Sequence, residues 1–158
     1  MSSKLVGDSA VHHVPHQIFP EDLNSHRTIY GGRVVELADR LAGHVAQRHS
    51  GRVCVTLSAD SIRFLAPAVM GETLVFKASV NRAWHTSMEV GVKVLAENYQ
   101  TGESRHIVSA YFTFVAVDES MKPIAIPEIL PESIVERLRF SEAQTRREQR
   151  LLIQGKKK

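Results

Sequence analysis

Residues 24–42 read NSHRTIYGGRVVELADRLA, two adjacent glycines followed by apolar residues at helical spacing. Val34, Val35, Ala38, Leu41, Ala42 and Val45 fall in one stripe when the segment is projected at about 100 degrees per residue. A helix is therefore expected from Gly31 to about Ser50, with Gly51 as its stop. Asp39 lies on the edge of the stripe, on the flank that carries Gly32, Gly43 and Ala46. Inside a helix Gly43 costs about 1 kcal/mol relative to alanine, which calls for a close approach there by a backbone, a ligand or another subunit. By pattern alone Asp39 reads first as a boundary carboxylate paired with Arg33 or Arg40. The chemical reading starts from Gly31 and Gly32, which let a substrate come close to N–H groups at the positive end of the helix dipole. Such groups can hold a carbonyl oxygen as negative charge develops on it. A carboxylate two turns on, roughly 10 Å down the axis, can reach the attacking water.

Around this helix the pattern is one of strands. Upstream, Pro15 and Pro20 amid alternating apolar positions leave room in residues 11–23 for at most a short edge strand. Downstream the period becomes two, with Val53, Val55, Leu57 and Ala59 on one face and Cys54, Thr56, Ser58 and Asp60 on the other. The phase flips at Ser61, because Ile62 and Phe64 carry the apolar face onward, so a bulge or bend is expected there. Pro67 and Gly71 mark a turn. Residues 74–80 and 88–94 then alternate on either side of a break at Trp84 and His85, and residues 106–117 are apolar on both faces, as a central strand is. One buried helix followed by four successive antiparallel strands reads as an α+β roll, the sheet wrapped around the helix. The last segment, from Glu132 to about Ile153, is polar with Ile134, Val135 and Leu138 early, and reads as a helix that packs only at its start.

Composition bounds the rest. The chain has 158 residues, 43% hydrophobic and 23% charged, enough for one globular domain that buries roughly 70% of its unfolded surface. No apolar run of about 18 residues occurs, and the start MSSKLVGDSAVHH lacks the apolar core of a signal peptide. With a single cysteine, Cys54, that cannot form an internal disulfide, the expected setting is the cytoplasm. The net charge of +3 is concentrated in residues 133–158, where eight Lys or Arg face three Glu. A solvated helix face ending in the frayed run Lys156, Lys157, Lys158 is the reading adopted for that tail. The cluster His12, His13, His16 has no carboxylate or cysteine at ligand spacing, and no metal or cofactor is expected. Cys54 sits in an apolar run as an inert thiol, and the absence of a G-x-S-x-G elbow removes the serine route to ester cleavage.

The spacing from Asn24 through Gly31 and Gly32 to Asp39, the stretch VCVTLSADSIRFLAPAVMGE (53–72), the stretch HTSMEVGVKVLAEN (85–98) and the strand AYFTFVAVDES (110–120) resemble the hotdog-fold acyl-CoA thioesterases of the cytosolic acyl-CoA hydrolase type. The resemblance covers residues 12–127 and extends to EAQTRREQRLL in the tail. It implies a hotdog domain over residues 8–127, an antiparallel sheet around one long central helix, followed by a C-terminal helix and basic tail over 128–158. It also implies hydrolysis of acyl-CoA to fatty acid and CoA. Asn24 and Asp39 would be the catalytic pair, meeting across a dimer interface, so that a homodimer is the minimum active unit and a trimer of dimers the expected assembly. Asp39 would act as general base, with Asn24 orienting water or thioester, or would attack directly to give an anhydride. Gly31 and Gly32 would bind the thioester oxygen. Thr56, Ser58, His85, Thr86 and Ser87 would contact CoA. Neither nucleic acid nor a membrane is expected as a partner.

Two departures from the family pattern bear on substrate preference. Trp84 and His85 stand where many relatives have a glycine and a basic residue, and Tyr30 where His or Phe is common. Two other readings are an acyl thioester dehydratase on the same fold, for which His26 would be the loop histidine, and a non-catalytic acyl-CoA sensor whose basic tail touches nucleic acid or a partner.

Overall fold

The computed structural model describes residues 2–155, so the run Lys156, Lys157, Lys158 lies outside the described residues. The glycine-led segment forms helix α1, Gly31–Ser50, and ends as its sequence dictates: Gly51 takes φ 67 and its N–H returns to the carbonyl of Gln47 at 2.8 Å. The expected stripe is buried along its centre, with Val35 and Leu41 at its edges only partly buried and Ala46 joining it from the Asp39 flank. Val34, Ala38, Ala42, Val45 and Ala46 are at most 1% exposed, and the run of alanines lets a sheet approach closely.

Among the described residues there are seven strands, β1 (Lys4–Leu5), β2 (Val11–Gln17), β3 (Val53–Phe64), β4 (Thr73–Ala83), β5 (Ser87–Glu97), β6 (Ser104–Val117) and β7 (Ile129–Leu130), before helix α2 (Ile134–Gly155). Five of them make one antiparallel sheet in the order β2-β4-β5-β6-β3. Its inner face, with Phe76, Met88, Val90, Phe112 and Phe114, packs on α1 in a single apolar cluster. As expected, β2 is an edge strand and β6 an interior one. The parallel pair of β1 with β7 was not foreseen, two-residue strands being too short to show a period. Among the described residues no helix is long and apolar enough to cross a membrane.

Two expectations are corrected. The first concerns β3, whose register against β6 breaks twice, between Thr56 and Ser58 and between Asp60 and Arg63. The break at Ser61, where φ is 49, is the bulge read from the sequence. The earlier one was hidden, and it redistributes the faces. Val53 and Val55 stand opposite Val117 and Val115 on the outer side of the sheet, whereas Ala59 stands opposite Phe112 on the inner side. The supposed apolar face is thus not a buried one: Val53 and Leu57 are 60% and 59% exposed, because β3 is an edge strand with no further strand beside it among the described residues.

The second correction concerns α2. Ile134, Val135 and Leu138, expected to be its packed start, are exposed, and Ala143 is its one buried residue. The start is fixed instead by a capping box. Ser133 Oγ accepts the Glu136 amide, and Glu136 Oε2 accepts the amides of Ser133 and Glu132. The helix then crosses the outer face of the sheet on arginines, two of its own and one of β4. Arg82 stacks on the Phe140 ring, and Arg146 grips Glu89 through two hydrogen bonds of 3.0 and 2.7 Å while lying over the ring of Tyr111. Arg150 reaches Asp60 at 2.7 Å and Thr113 at 3.1 Å. The basic face read as solvated is, for Arg146 and Arg150, the face that holds the helix down. The outer side of β5 presents a fully buried Glu89, which takes the side-chain amide of Asn81 at 3.0 Å as well as the two donors of Arg146.

Candidate active site

The site is built where the chain enters α1. Asp22, nearly fully buried, accepts the amide of Phe19 at 3.1 Å and Nε of Arg33 at 2.9 Å, with Nε2 of His16 3.0 Å away. Burial alone would raise its pKa. The hydrogen bonds from Phe19, His16 and Arg33 outweigh that and hold the carboxyl below its ordinary value. Asp22 therefore pins the entry loop to the first turn of the helix.

Within that loop Asn24 closes a tight turn. Its Oδ1 accepts the amides of His26 (2.9 Å) and Thr28 (3.2 Å), and its Nδ2 donates to Thr28 Oγ1 at 2.9 Å. Arg27, at φ 61, supplies the left-handed residue that the turn needs. One hydrogen of the Asn24 amide nitrogen remains for another acceptor. The helix that follows has no side-chain cap, and the N–H groups of Gly31 and Gly32 meet no acceptor among the described residues. A Cβ on Gly31 would lie 2.9 Å from the tip of the Phe64 ring, so any larger residue here would have to displace that ring. Beside that ring opens a cavity of about 350 Å³ lined by apolar residue types, including Ile29, Val34, Phe64, Leu65 and Ile107.

Asp39 is half-buried two turns further on. It has no arginine partner: Arg33 pairs with Asp22 and Glu36, and Arg40 with Glu36. Its Oδ1 accepts Thr56 Oγ1 at 2.9 Å, and Oδ2 has no partner among the described residues. The arrangement is a carboxylate fixed at one oxygen and open at the other. Gly43, one turn beyond, faces Phe114, whose ring would lie 3.5 Å from an added Cβ, an ordinary contact.

Of the expected CoA contacts, Thr56 is at this site. Ser58 is not. The first bulge in β3 sets Thr56 opposite Phe114 on the helix side and Ser58 opposite Thr113 on the α2 side, 3.4 Å from Asp60. A common polar face for the two is therefore corrected. His85, Thr86 and Ser87 form the turn into β5, with the carbonyls of His85 and Thr86 accepting the amides of Ile126 and Ala116. Through Phe114 and Met88, Thr56 is level with that turn, two strand spacings or roughly 10 Å away. Asp22 and the apolar cavity went unread, although the apolar run after the Ser61 bulge, FLAPA, was a signal for the cavity. No hydrogen bond joins Asn24 to Asp39 within the protomer.

A family model described as the thioesterase superfamily matches residues 26–103. An acyl-CoA thioester hydrolase of Bacillus subtilis (strain 168), itself called uncharacterised, is 38% identical over 117 residues, which cover 74% of this chain and 68% of that one. The chain belongs to the acyl-CoA hydrolases of the thioesterase superfamily. Its α+β architecture, an antiparallel sheet around a central helix, is the hotdog fold. A crystal structure of an apo-hexameric acyl-CoA thioesterase superposes with a TM-score of 0.92 at 35% identity, covering 95% of this chain and 96% of that one. The acyl-CoA hydrolase of Staphylococcus aureus, in complex with butyryl coenzyme A, coenzyme A and coenzyme A disulfide, superposes with a TM-score of 0.91 at 33% identity, covering 98% and 94%. Alanine variants of that enzyme replace an asparagine, an aspartate and a threonine whose order and spacing are those of Asn24, Asp39 and Thr56 here.

Proposed function

We propose that this acyl-CoA hydrolase cleaves the thioester of an acyl-CoA at a site shared by two copies of the chain, with Asp39 from one copy and Asn24 from the other. The observation that carries the mechanism is the Asp39 carboxylate, tied to Thr56 by one oxygen and free of any cation. Its open oxygen takes a proton from water as that water attacks the thioester carbon. The carbonyl oxygen becomes negative and is met by the N–H groups of Gly31 and Gly32 at the positive end of α1, with the spare hydrogen of Asn24 Nδ2 orienting water or thioester. Collapse expels the thiolate of CoA, which recovers the proton from Asp39, and leaves the fatty acid. The apolar cavity beside Gly31 holds the acyl chain. Thr56 and the His85, Thr86, Ser87 turn contact CoA, while the bulge keeps Ser58 out of the same copy's set.

Sharing between copies is supported by distance and by the edge of the sheet. The Gly32 end of α1 and Asp39 are roughly 10 Å apart along the axis, and Asn24 spends its oxygen on its own loop. Edge strand β2 is blunted by Pro15, but β3 is a twelve-residue edge without proline that leaves Val53, Leu57 and Phe64 largely exposed. Such an edge needs a cover, and a second β3 supplies one. The reading is thus of a homodimer as the minimum unit, assembled as a hexamer like the hexameric relative. It is placed in the cytoplasm, where Cys54 stays a thiol.

The test is thiol release from acyl-CoAs of graded chain length. Asp39→Ala and Asn24→Ala should each lose about two to four orders of magnitude in kcat. Refolding the two inactive variants together should return about a quarter of the wild-type rate, since half of the dimers are mixed and each holds one intact site. Absence of thiol release from the wild type sinks the hydrolase reading. It leaves the dehydratase, detectable by interconversion of hydroxyacyl and enoyl substrates, or the sensor, which binds without turnover. Failure of the mixture to recover sinks only the sharing.

A further inference from the structure

The outer face of the sheet, opposite Asp39, is electrically divided. Under α2 its acids, Glu89 and Asp60, are each answered by an arginine. Beyond the reach of Arg146 the face turns basic and is answered by nothing. Lys77 on β4 stands directly opposite Lys93 on β5, which stands opposite Ser109 on β6, which stands opposite Arg63 on β3. One row across four strands thus carries three cations on the same side. Among the described residues none of the three pairs with a carboxylate. Like charges at directly opposed positions, with Cβ atoms about 5 Å apart, destabilise a sheet unless something neutralises them.

The next row supplies a floor. It reads Ser79, Gly91, Tyr111, and a Cβ on Gly91 would lie 2.6 Å from the amide nitrogen of the buried Asn81, so the floor carries that amide in place of a side chain and forms a dent below the lysines. Over this dent lies a cavity of about 330 Å³, lined by Lys77, Lys93, Ser79, Ser109, Tyr111 and Arg139, with His12 also in its wall. Its size falls within the roughly 300–1,000 Å³ of small-molecule sites. The one acid of its wall, Glu136, has an oxygen already given to the amides that start α2.

We propose that this dent is a binding site for a small molecule bearing a diphosphate or comparable multiply charged phosphate group. The phosphate oxygens are held by Lys77 and Lys93 and by the hydroxyls of Ser79, Ser109 and Tyr111. The sheet separates the site from Asp39, so its occupant is not the thioester under attack.

Calorimetric titration of the full chain with inorganic pyrophosphate tests it, at low and at physiological salt. Wild type should bind with one site per chain, and Lys77→Ala/Lys93→Ala should weaken binding at least 30-fold while thiol release stays within twofold of wild type. Both lysines are exposed, so the double variant is expected to fold. No heat from wild type up to millimolar pyrophosphate, or equal binding by the double variant, overturns the proposal. A competition arm identifies the source of the phosphate. Displacement of pyrophosphate by free CoA, lost in the double variant, assigns the site to the nucleotide end of a CoA. Undisturbed pyrophosphate binding assigns it to a separate phosphorylated metabolite. Both results support the site.

Discussion

Helices α1 and α2 are 20 and 22 residues long and lie on opposite faces of the same sheet, yet they are held by opposite means. Five small apolar residues of α1 are sealed against the inner face. On α2 a single alanine is buried, and its grip comes from Arg146 on Glu89 and Tyr111, Arg150 on Asp60, and Arg82 of β4 on the helix's own Phe140. A stripe of apolar residues predicts a packed helix face where the opposing surface is apolar. It fails where the opposing surface holds a buried carboxylate, since a desolvated charge demands its partner more strongly than an apolar patch demands cover. Hydrophobic pattern therefore reports one kind of burial only.

The contrast can be broken most forcefully at Arg146. Arg146→Ala leaves Glu89 buried without its cation and should cost about 3–5 kcal/mol, read as a lower urea midpoint at unchanged slope. The double variant Arg146→Met/Glu89→Met should regain most of the loss. If it is as unstable as the single, the ion pair is not what anchors α2. On the other helix the sensitive quantity is volume. Ala42→Leu, at a fully enclosed position, should cost about 1–3 kcal/mol by overpacking, and an unchanged midpoint would show that α1 is less tightly held than its burial indicates. The smallest effect has the opposite sign. Gly43→Ala places a methyl at ordinary contact with Phe114 and should stabilise the protomer by up to about 1 kcal/mol. A variant that gains stability but loses thiol release tenfold would mean that a ligand or a second copy, rather than Phe114, is what needs glycine there.

Legibility in the sequence followed the same division. The boundaries of α1, the faces of β4 and β5 and the two-sided burial of β6 were readable, because each repeats a period for long enough to count. The position of Asp39 was readable as well, but its partner was not. Helical spacing offered Arg33 and Arg40, and the structure gives both to Glu36, with Thr56 from a strand 17 residues away filling the place. Asn24 had no periodic signature at all, since its geometry is that of an irregular turn, and only family resemblance selected it. The packing of α2 was misread because its decisive partner, Glu89, sits in an alternating strand as one ordinary polar position. Nothing local announces that such a residue is buried.

The two register breaks in β3 give that strand a property its side chains do not share. Because successive residues alternate sides, pairing Leu57 in regular register, without the extra residue that the first break accommodates, would turn over everything up to the next break. Asp60 would swing toward α1 and Ala59 toward α2, severing the hold of Arg150 on Asp60 without changing the chemistry of any residue. Across β3, then, the register breaks should be guarded more strictly than side-chain identity: substitutions at its exposed positions are cheap, whereas a slip that irons out one break reassigns which wall of the protein each residue up to the next break serves.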